Sequence, residues 1–281
     1  RIRFNKFLEN RIRLSQPIEN INLLNEITDE YDYFISGSDQ VWSPISAGFD
    51  KAYFLPFATD EKKLSYAASI GATNVSDKII SELKNRLSGF SCLSVREQSA
   101  KNMLEANGVD RPIYVHPDPT LLLQESDWQE LCDERAIKED YILIFNVEKP
   151  IKDIEFAKKY ANKYNLKIVY INDRTVKKDA SITYIEAPTP EQFLSLFKNA
   201  SLIVTNSFHG TVFSIIFKKN YVELDNQKQY NVRVKGLLEE LKIYNRTIDD
   251  CSKNNNIDWD SVDEIINMKR EDTRHYFNEV L

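Results

Sequence analysis

Short runs of apolar, often β-branched residues alternate along this chain with stretches whose apolar residues recur every three or four positions. The first pattern is typical of strands covered on both faces of a parallel sheet, and the second of amphipathic helices. The runs that predict strands are Tyr33–Ile35, Lys63–Ile70, Ser91–Val95, Ile113–Val115, Tyr141–Val147, Lys167–Ile171, Ile182–Ile185, Leu202–Val204 and Tyr221–Leu224. Their alternation with helices predicts an α/β protein with parallel sheets.

Local signals mark several of the helices between these strands. Ser76 is a candidate cap for a helix with its apolar residues on one face. Thr189-Pro190-Glu191-Gln192 combines a cap, a proline at the first position and a glutamine three residues on. Further helices are predicted to end near Gly108, to begin at Asp127 and to cover Asp153–Tyr164, Thr211–Phe217, Asn231–Leu241 and Trp259–Phe277, with a surface helix or connection before Asn25.

The length of 281 residues suits two domains rather than one small core. A new series of strands and helices starts after residues 121–127, which are therefore the predicted connection between domains. This divides the chain into an N-terminal domain, residues 1–124, and a C-terminal domain, residues 125–281.

Composition narrows the classes of function. A net charge of −6 without a basic stripe argues against nucleic-acid binding by bulk attraction. Cys92, Cys132 and Cys251 are far apart and lack metal-ligand spacing, so neither a disulfide framework nor a zinc site is expected. No run approaches 18 apolar residues and no signal peptide is visible, which predicts a cytoplasmic protein.

The polar loop Asn206–Gly210 lies between the buried strand Leu202–Val204 and an apolar helix. It therefore occupies the carboxyl end of a strand, where open α/β sheets bind ligands, and a helix N-terminus, which favours an anion. We predict that His209 has a chemical role and that an anionic group binds beside it. The alternative is a structural histidine.

Three other polar clusters also follow predicted strands directly: Gly37–Gln40, Arg96-Glu97 and His116–Thr120. In parallel sheets such loops share one edge, and two sheets facing each other would place the clusters around one cleft. Ser38, Asp39 and Gln40 offer polar groups there, although a simple turn is the alternative. We expect His116 to be a turn or surface residue and Asp118 to brace its loop.

These clusters belong to a set of sequence blocks that resembles, in the same order, the polysaccharide pyruvyl transferase family. The blocks lie between Tyr31 and Arg246 and are Gly37-Ser-Asp-Gln-Val-Trp42, Lys63-Leu-Ser-Tyr-Ala-Ala-Ser-Ile-Gly71, Ser94-Val-Arg-Glu97, Asp118-Pro-Thr-Leu-Leu-Leu123, Asn206-Ser-Phe-His-Gly-Thr-Val-Phe213 and Asn231-Val-Arg233. The resemblance implies two Rossmann-like domains facing across a cleft, similar to GT-B glycosyltransferases. It also implies transfer of pyruvate from phosphoenolpyruvate to a sugar as a cyclic ketal.

By position, His209 resembles the catalytic histidine of the family, Arg96 an arginine near phosphoenolpyruvate, and Arg233 a cation of the donor site. The expected substrate-binding residues beside the two arginines are Ser38, Asp39, Gln40, Glu97, Asn206, Ser207 and Gly210. The carboxylate and phosphate of the donor suit arginines and a helix N-terminus, and a histidine titrating near neutrality suits proton transfer. No cofactor and no metal are expected.

One departure and several alternatives stay open. Members of the family usually begin with a strand and a Gly/Asn-rich loop on the acceptor side, and nothing before Tyr31 resembles them. The chain begins with Arg1, so a missing first strand is one interpretation, and it leaves acceptor binding open. The expected acceptor is a nucleotide-linked or lipid-linked sugar, and peripheral association with the membrane face is a separate expectation. The alternative functions are a GT-B-type nucleotide-sugar glycosyltransferase and a non-catalytic sugar-binding protein of the same fold.

Overall fold

The structure is a computed structural model that describes residues 2–44, 49–72, 75–146, 151–171, 178–222, 231–243 and 257–281. Its strands are β1 Phe34–Ser36, β2 Lys63–Ser65, β3 Leu93–Val95, β4 Ile113–Val115, β5 Tyr141–Phe145, β6 Lys167–Ile171, β7 Ile182–Ile185, β8 Leu202–Thr205 and β9 Tyr221–Val222. Every pairing between these strands is parallel, which confirms the predicted α/β class.

Helices connect the strands. The α-helices are α1 Ile2–Arg11, α2 Asp77–Leu87, α3 Gln98–Ala106, α4 Glu125–Glu130, α5 Ile151–Tyr164, α6 Pro190–Asn199, α7 Phe208–Ile216, α8 Asn231–Glu240 and α9 Trp259–Val280. Short 3₁₀ turns cover Ile21–Ile27, Lys51–Phe54, Asp60–Lys62 and Pro119–Leu121. The predicted cap at Thr189 is confirmed, because its hydroxyl accepts a hydrogen bond from the Gln192 N–H while the Gln192 side chain accepts one from the Thr189 N–H.

The chain forms two compact units, and each draws on distant segments. The five-stranded unit consists of Arg1–Ser15, Leu123–Gln227 and Lys242–Trp259. The four-stranded unit consists of Gln16–Leu122, Lys228–Leu241 and Asp260–Leu281. The helices α8 and most of α9 thus group with the N-terminal strands although they come late in the chain. The division into residues 1–124 and 125–281 stays a prediction.

The sheet of the five-stranded unit has the order β7-β6-β5-β8-β9. Counted from β5, this is the order 3-2-1-4-5 of a Rossmann-like sheet, in which the connections leave β5 and β8 in opposite directions. The strands are short and apolar because both faces are covered, and Ile142, Ile144 and Val204 are fully buried beneath helices. The carboxyl ends of β5 and β8 therefore form the topological switch point, where open sheets bind ligands.

The four-stranded unit contains two parallel pairs, β1 with β2 and β3 with β4. A parallel bridge between Ala68 and Val95 joins the two pairs, with the Ala68 N–H donating to Ser94 O at 3.1 Å and the Arg96 N–H to Ala68 O at 3.2 Å. Trp42, Leu83 and Phe90 lie in the core beneath. Since all four strands run parallel, the loops that follow them emerge at one edge.

The C-terminal helix α9 packs on this same unit. The hydroxyl of Tyr276 donates to Ser65 O at 2.9 Å, and the ring lies 4.6 Å from that of His116, centroid to centroid. His116 follows β4 directly and is only 4% exposed. The expectation of a surface histidine is therefore wrong: the aromatic side chains of α9 and the strands cover the imidazole, although the residue does lie in the predicted turn.

Several element boundaries differ from the predictions for local reasons. β2 ends at Ser65 rather than Ile70, because Ala67 takes a positive φ of 47°, which leaves the extended strand conformation. α7 begins at Phe208 rather than Thr211, since Ser207 acts as its cap. Ser76 does precede α2, but its side chain makes no capping hydrogen bond. Val147, Glu223 and Leu224, at the ends of two predicted strands, lie outside the described residues.

Candidate active site

The switch point of the five-stranded sheet carries the predicted histidine. His209 lies in the first turn of α7 and is half-buried, whereas its neighbours Phe208 and Gly210 are buried. Ser207 caps the helix by accepting a hydrogen bond from the Gly210 N–H at 3.3 Å. The imidazole therefore stands at a helix N-terminus, whose partial positive charge favours a negatively charged ligand.

Gly210 allows α7 to begin so close to the strand ends. A Cβ at this position would lie 2.1 Å from Thr205 Oγ1 and 3.1 Å from Phe145 Cδ1, so a larger residue would push the helix away. The Thr205 hydroxyl also donates to Phe145 O at 2.5 Å, which ties β8 to β5 at their carboxyl ends. Gly210 thus determines how close His209 lies to the ends of the strands.

A further polar pair at this switch point was not predicted. Asn146 directly follows β5; its Oδ1 accepts a hydrogen bond from the Asn206 N–H at 2.8 Å, and its Nδ2 donates to Asp153 Oδ2. Asp153 is buried in the first turn of α5, and burial raises the pKa of its carboxyl to about 6. The position of Asn146 after a buried strand is the sequence signal that would have found it.

The four-stranded unit contains a second, ionic cluster around Arg96. Its guanidinium Nη1 lies 2.7 Å from Asp118 Oδ2, its Nε 3.4 Å from Glu97 Oε1, and its Nη2 3.6 Å from Asp39 Oδ1. The side chains of Arg96 and Asp118 are only 2% exposed, whereas that of Asp39 is 64% exposed. Arg96 therefore joins three loops that follow three different strands, and Asp39 is the partner nearest to solvent.

Glu97 is the most buried acid of this cluster after Asp118. The Ser69 hydroxyl donates to its Oε1. Burial raises the pKa of the Glu97 carboxyl above its usual range, and the nearby guanidinium groups of Arg96 and Arg233 oppose this rise. Arg233 is half-buried on α8, so the electrostatic influence on Glu97 places it with this cluster.

The loop after β1 reaches the cluster through a close backbone approach. Gly37 has a φ of 126°, and a Cβ there would lie 2.1 Å from Tyr66 O. Beyond it, the Ser38 hydroxyl donates to Ala67 O at 2.9 Å and approaches Asp118 Oδ2 at 3.3 Å. Gln40 packs over Gly71, where an added Cβ would lie 2.2 Å from its Nε2. Ser38 thus lies within the cluster.

Asp118 has a larger role than the predicted brace. Its Oδ1 does accept hydrogen bonds from the Thr120 N–H and hydroxyl at 3.1 and 2.7 Å, which confirms that it braces the loop. Its Oδ2 also holds Arg96. Sequence reasoning missed this second contact, because the two residues follow different strands.

The predicted site residues thus fall into two groups. Asn206, Ser207, His209 and Gly210 meet at the switch point of the five-stranded sheet. Ser38, Asp39, Gln40, Arg96, Glu97 and Arg233 belong to the four-stranded unit. Among the residues that the structure describes, no three His, Cys, Asp or Glu side chains are grouped so that they could hold a metal ion. Within the same residues, every helix is too short or too polar to cross a lipid bilayer.

Comparison with known proteins identifies related sequences and folds. The sequence model described as Polysaccharide pyruvyl transferase matches residues 1–226. This match includes the first 30 residues, in which no resemblance was apparent from motifs, and it ends before Arg233. No protein of curated function gives a significant match.

Solved structures similar in fold include UDP-GlcNAc 2-epimerases, which are GT-B-type enzymes. One from Listeria monocytogenes, described as a UDP-N-acetylglucosamine 2-epimerase, has a TM-score of 0.60 at 14% identity over 93% of this chain and 80% of its own. The epimerase from Neisseria meningitidis bound to UDP-GlcNAc has a TM-score of 0.55 at 14% identity over 92% and 80%. The epimerase from Methanocaldococcus jannaschii has a TM-score of 0.52 at 18% identity, over 89% of this chain and 74% of its own. At these identities the likeness shows the fold alone, and the fold is GT-B-like.

Proposed function

Because the chain belongs to the polysaccharide pyruvyl transferase family, we propose that it transfers the pyruvyl unit of phosphoenolpyruvate to a sugar of a polysaccharide or its precursor and leaves a pyruvate ketal. The observation that carries the proposal is the half-exposed His209 at the N-terminus of α7, on the switch point of the five-stranded sheet. The cytoplasmic location and the nucleotide-linked or lipid-linked acceptor predicted from the sequence are part of this proposal.

The proposal assigns proton transfer to His209. Ketal formation requires a sugar hydroxyl to lose its proton as its oxygen attacks the central carbon of the donor. A neutral imidazole nitrogen can accept that proton. Its position in the first turn of α7 also brings the partial positive charge of the helix close to an anionic donor.

Arg96 and Arg233 are proposed to hold the donor anions. Arg96 already faces three carboxylates, so an incoming anion must replace one of them. Asp39 is the partner best suited to give way, because it is the most distant at 3.6 Å and its side chain is 64% exposed. A donor carboxylate or phosphate in its place would accept a charge-assisted hydrogen bond from Nη2 of the guanidinium.

The test measures what the protein releases. Phosphoenolpyruvate is supplied with a panel of nucleotide-linked and lipid-linked sugars, and inorganic phosphate, free nucleotide and the ketal methyl group are followed together. The proposal predicts phosphate release in step with ketal formation. Nucleotide release without phosphate would instead identify a nucleotide-sugar glycosyltransferase, and donor binding by calorimetry without turnover on any sugar would identify a sugar-binding protein.

A further inference from the structure

The pairing of β5 with β8 continues beyond the two strands through a side chain. The last residues in register are Phe145 and Thr205. One position further on, where β8 turns into the loop of His209, Asn146 Oδ1 accepts the Asn206 N–H at 2.8 Å. The side chain thus takes the place of a backbone acceptor for an N–H group at a half-buried position, where a missing partner would cost free energy.

Side chains hold three backbone N–H groups of this loop. The Asn206 N–H donates to Asn146, the Ser207 N–H to Thr205 Oγ1 at 3.1 Å, and the Gly210 N–H to Ser207 Oγ at 3.3 Å. Thr205 and Ser207 belong to the same segment as the groups that they hold. Asn146 is the only one of the three that reaches the loop from another strand, so it ties the loop to β5 beyond the end of the sheet.

Asp153 determines the orientation of the Asn146 amide. This acid lies in the first turn of α5 and is only 7% exposed, and its Oδ2 accepts a hydrogen bond from Asn146 Nδ2. A flipped amide would bring its oxygen against a carboxylate oxygen and its nitrogen against the Asn206 N–H, and neither contact is a hydrogen bond. The contact with Asp153 therefore directs Oδ1 of Asn146 towards the loop.

The held amide lies close to the proposed proton acceptor. Ser207, the residue after Asn206, caps α7, and His209 stands in the first turn of that helix. A shift of the chain at Asn206 would therefore move the cap and the imidazole with it. A misplacement on the order of 1 Å in a catalytic group can lower a rate about 10²-fold.

We propose that Asn146 is a positioning residue for the pyruvyl transfer: it holds the loop of His209 in place on the sheet, and Asp153 orients it for this role. The inference rests on the proposed function, because the position of His209 affects turnover only if this histidine transfers the proton. Asn146 acts through the loop and takes no part in the proton transfer itself.

The first experiment needs no substrate and measures hydrogen exchange of single backbone amides by NMR. Asn146→Ala removes the acceptor, so the Asn206 amide should exchange about tenfold faster. The amide of Val169, in the interior strand β6, should keep its rate, which shows that the change is local. An unchanged Asn206 rate overturns the inference.

Asn199→Ala is the matched control for both experiments. The Asn199 amide donates to Ser195 O at 2.9 Å at the end of α6, which leads into the amino end of β8. This change also removes one asparagine hydrogen bond of the five-stranded unit, but at the opposite edge of the sheet. It should leave the Asn206 exchange rate and the turnover as they are in the wild type.

The second experiment measures turnover of phosphoenolpyruvate per folded molecule, on a sugar that the panel above identifies as an acceptor. Asn146→Ala should lower kcat by about 10-fold to 10²-fold while the donor KM changes by about twofold or less, because a misplaced proton acceptor weakens transition-state stabilisation rather than donor binding. A normal kcat with a smaller amount of folded protein would show a structural role alone and overturn the inference.

A reciprocal exchange of the two side chains tests whether their hydrogen bonds carry the effect. Asn146→Asp alone places two carboxyl groups in contact, and these repel each other when both are ionised. Combined with Asp153→Asn, it again pairs one carboxylate with one amide, and the carboxylate can accept both the Asn206 N–H and the amide N–H. The double variant should recover most of the kcat lost in Asn146→Asp. A double variant no more active than Asn146→Asp overturns the inference.

The outcomes separate the two proposals. Wild-type protein that releases no phosphate from phosphoenolpyruvate overturns the proposed function, and the positioning role for that reaction falls with it. Normal wild-type turnover with an equally active Asn146→Ala overturns only the role of Asn146.

Discussion

Arg96 and Asp118 form a buried ion pair, with Nη1 of the guanidinium 2.7 Å from Oδ2 of the carboxylate and both side chains 2% exposed. The pair joins the loop after β3 to the loop after β4. Each partner has further contacts, Arg96 with Asp39 and Glu97, and Asp118 with Ser38 and Thr120. The pair is therefore the central contact among the loops that follow the strands of the four-stranded unit.

Asp118→Asn should therefore destabilise the protein by about 3–5 kcal/mol, because a neutral amide leaves the Arg96 guanidinium buried without its closest counter-charge. Urea unfolding of the purified variant measures the change. Glu271→Gln is the control: Glu271 pairs with Arg274 on the surface of α9, with both side chains about two-thirds exposed, so its loss should cost about 1 kcal/mol or less. Equal stability of the two variants would contradict the structural importance of the buried pair.

His209→Gln should lower turnover by about 10² to 10⁴, since glutamine keeps polarity and approximate size but cannot carry the proton. Phosphate release from phosphoenolpyruvate measures the effect, and circular dichroism shows whether the fold is kept. His275→Gln serves as the matched histidine control, because His275 is exposed on α9, where it pairs with Glu279. Full activity of His209→Gln would remove this residue from the mechanism.

Arg233→Ala should raise the KM for the donor about tenfold or more, since a hydrogen bond to a charged group contributes about 1.5–3 kcal/mol. Its loss should also raise the pKa of Glu97 further, because Arg233 is one of two cations that favour the ionised form. Lys235→Ala on the same helix is the control, since its side chain is exposed beside Glu239. If both variants bound the donor as the wild type does, Arg233 would have no part in the donor site.

Gly210→Ala should destabilise the five-stranded unit by about 1–3 kcal/mol, since the new methyl group would lie 2.1 Å from Thr205 Oγ1. The same change at Gly236 should have the opposite sign. Gly236 lies in α8 with nothing within 4 Å of an added Cβ, so alanine should stabilise the helix by about 0.5–1 kcal/mol. Thermal unfolding of the two variants checks the contrast, and a neutral Gly210→Ala would contradict the close packing of α7 on β8.

Asp153→Asn should become more stable than the wild type as pH rises. The folded state raises the pKa of Asp153 from 3.8 to about 6, so it binds this proton more tightly than the unfolded chain does. The resulting stability is fully present below the unfolded pKa and is lost as pH rises through about 6. The difference between variant and wild type should grow across this window by an amount on the order of 2 kcal/mol. A difference independent of pH in urea unfolding would show that Asp153 keeps an ordinary pKa.

The strands and the switch point could be predicted because their signals are local. β4, β6 and β7 have the predicted bounds, since a buried parallel strand needs a continuous apolar run and has little else to specify it. The position of His209 after β8 followed from the same rule. The start of α7 was placed three residues late, because Ser207 was treated as a loop residue although a serine three residues before Gly210 can cap a helix.

The contacts of the ionic cluster could not be predicted in the same way. Arg96 and Asp118 are 22 residues apart and meet only because β3 pairs with β4 in one particular register, Val95 opposite Val115. The sequence around His116 is typical of a turn. Its burial depends on Tyr276, which comes from the far end of the chain. Such contacts depend on how distant segments pair in the folded protein, and a single sequence contains no direct signal of that pairing.

The hydrogen bond from Tyr276 to Ser65 spans 211 residues of sequence. A ribosome synthesises the chain from its N-terminus, so β1 to β4 emerge long before the helix that covers them. The five-stranded unit can complete its sheet first. Until α9 is synthesised, the apolar face of β1 to β4 that it packs on stays uncovered. Because contacts so distant in sequence form slowly, this apolar face is open to aggregation during the delay.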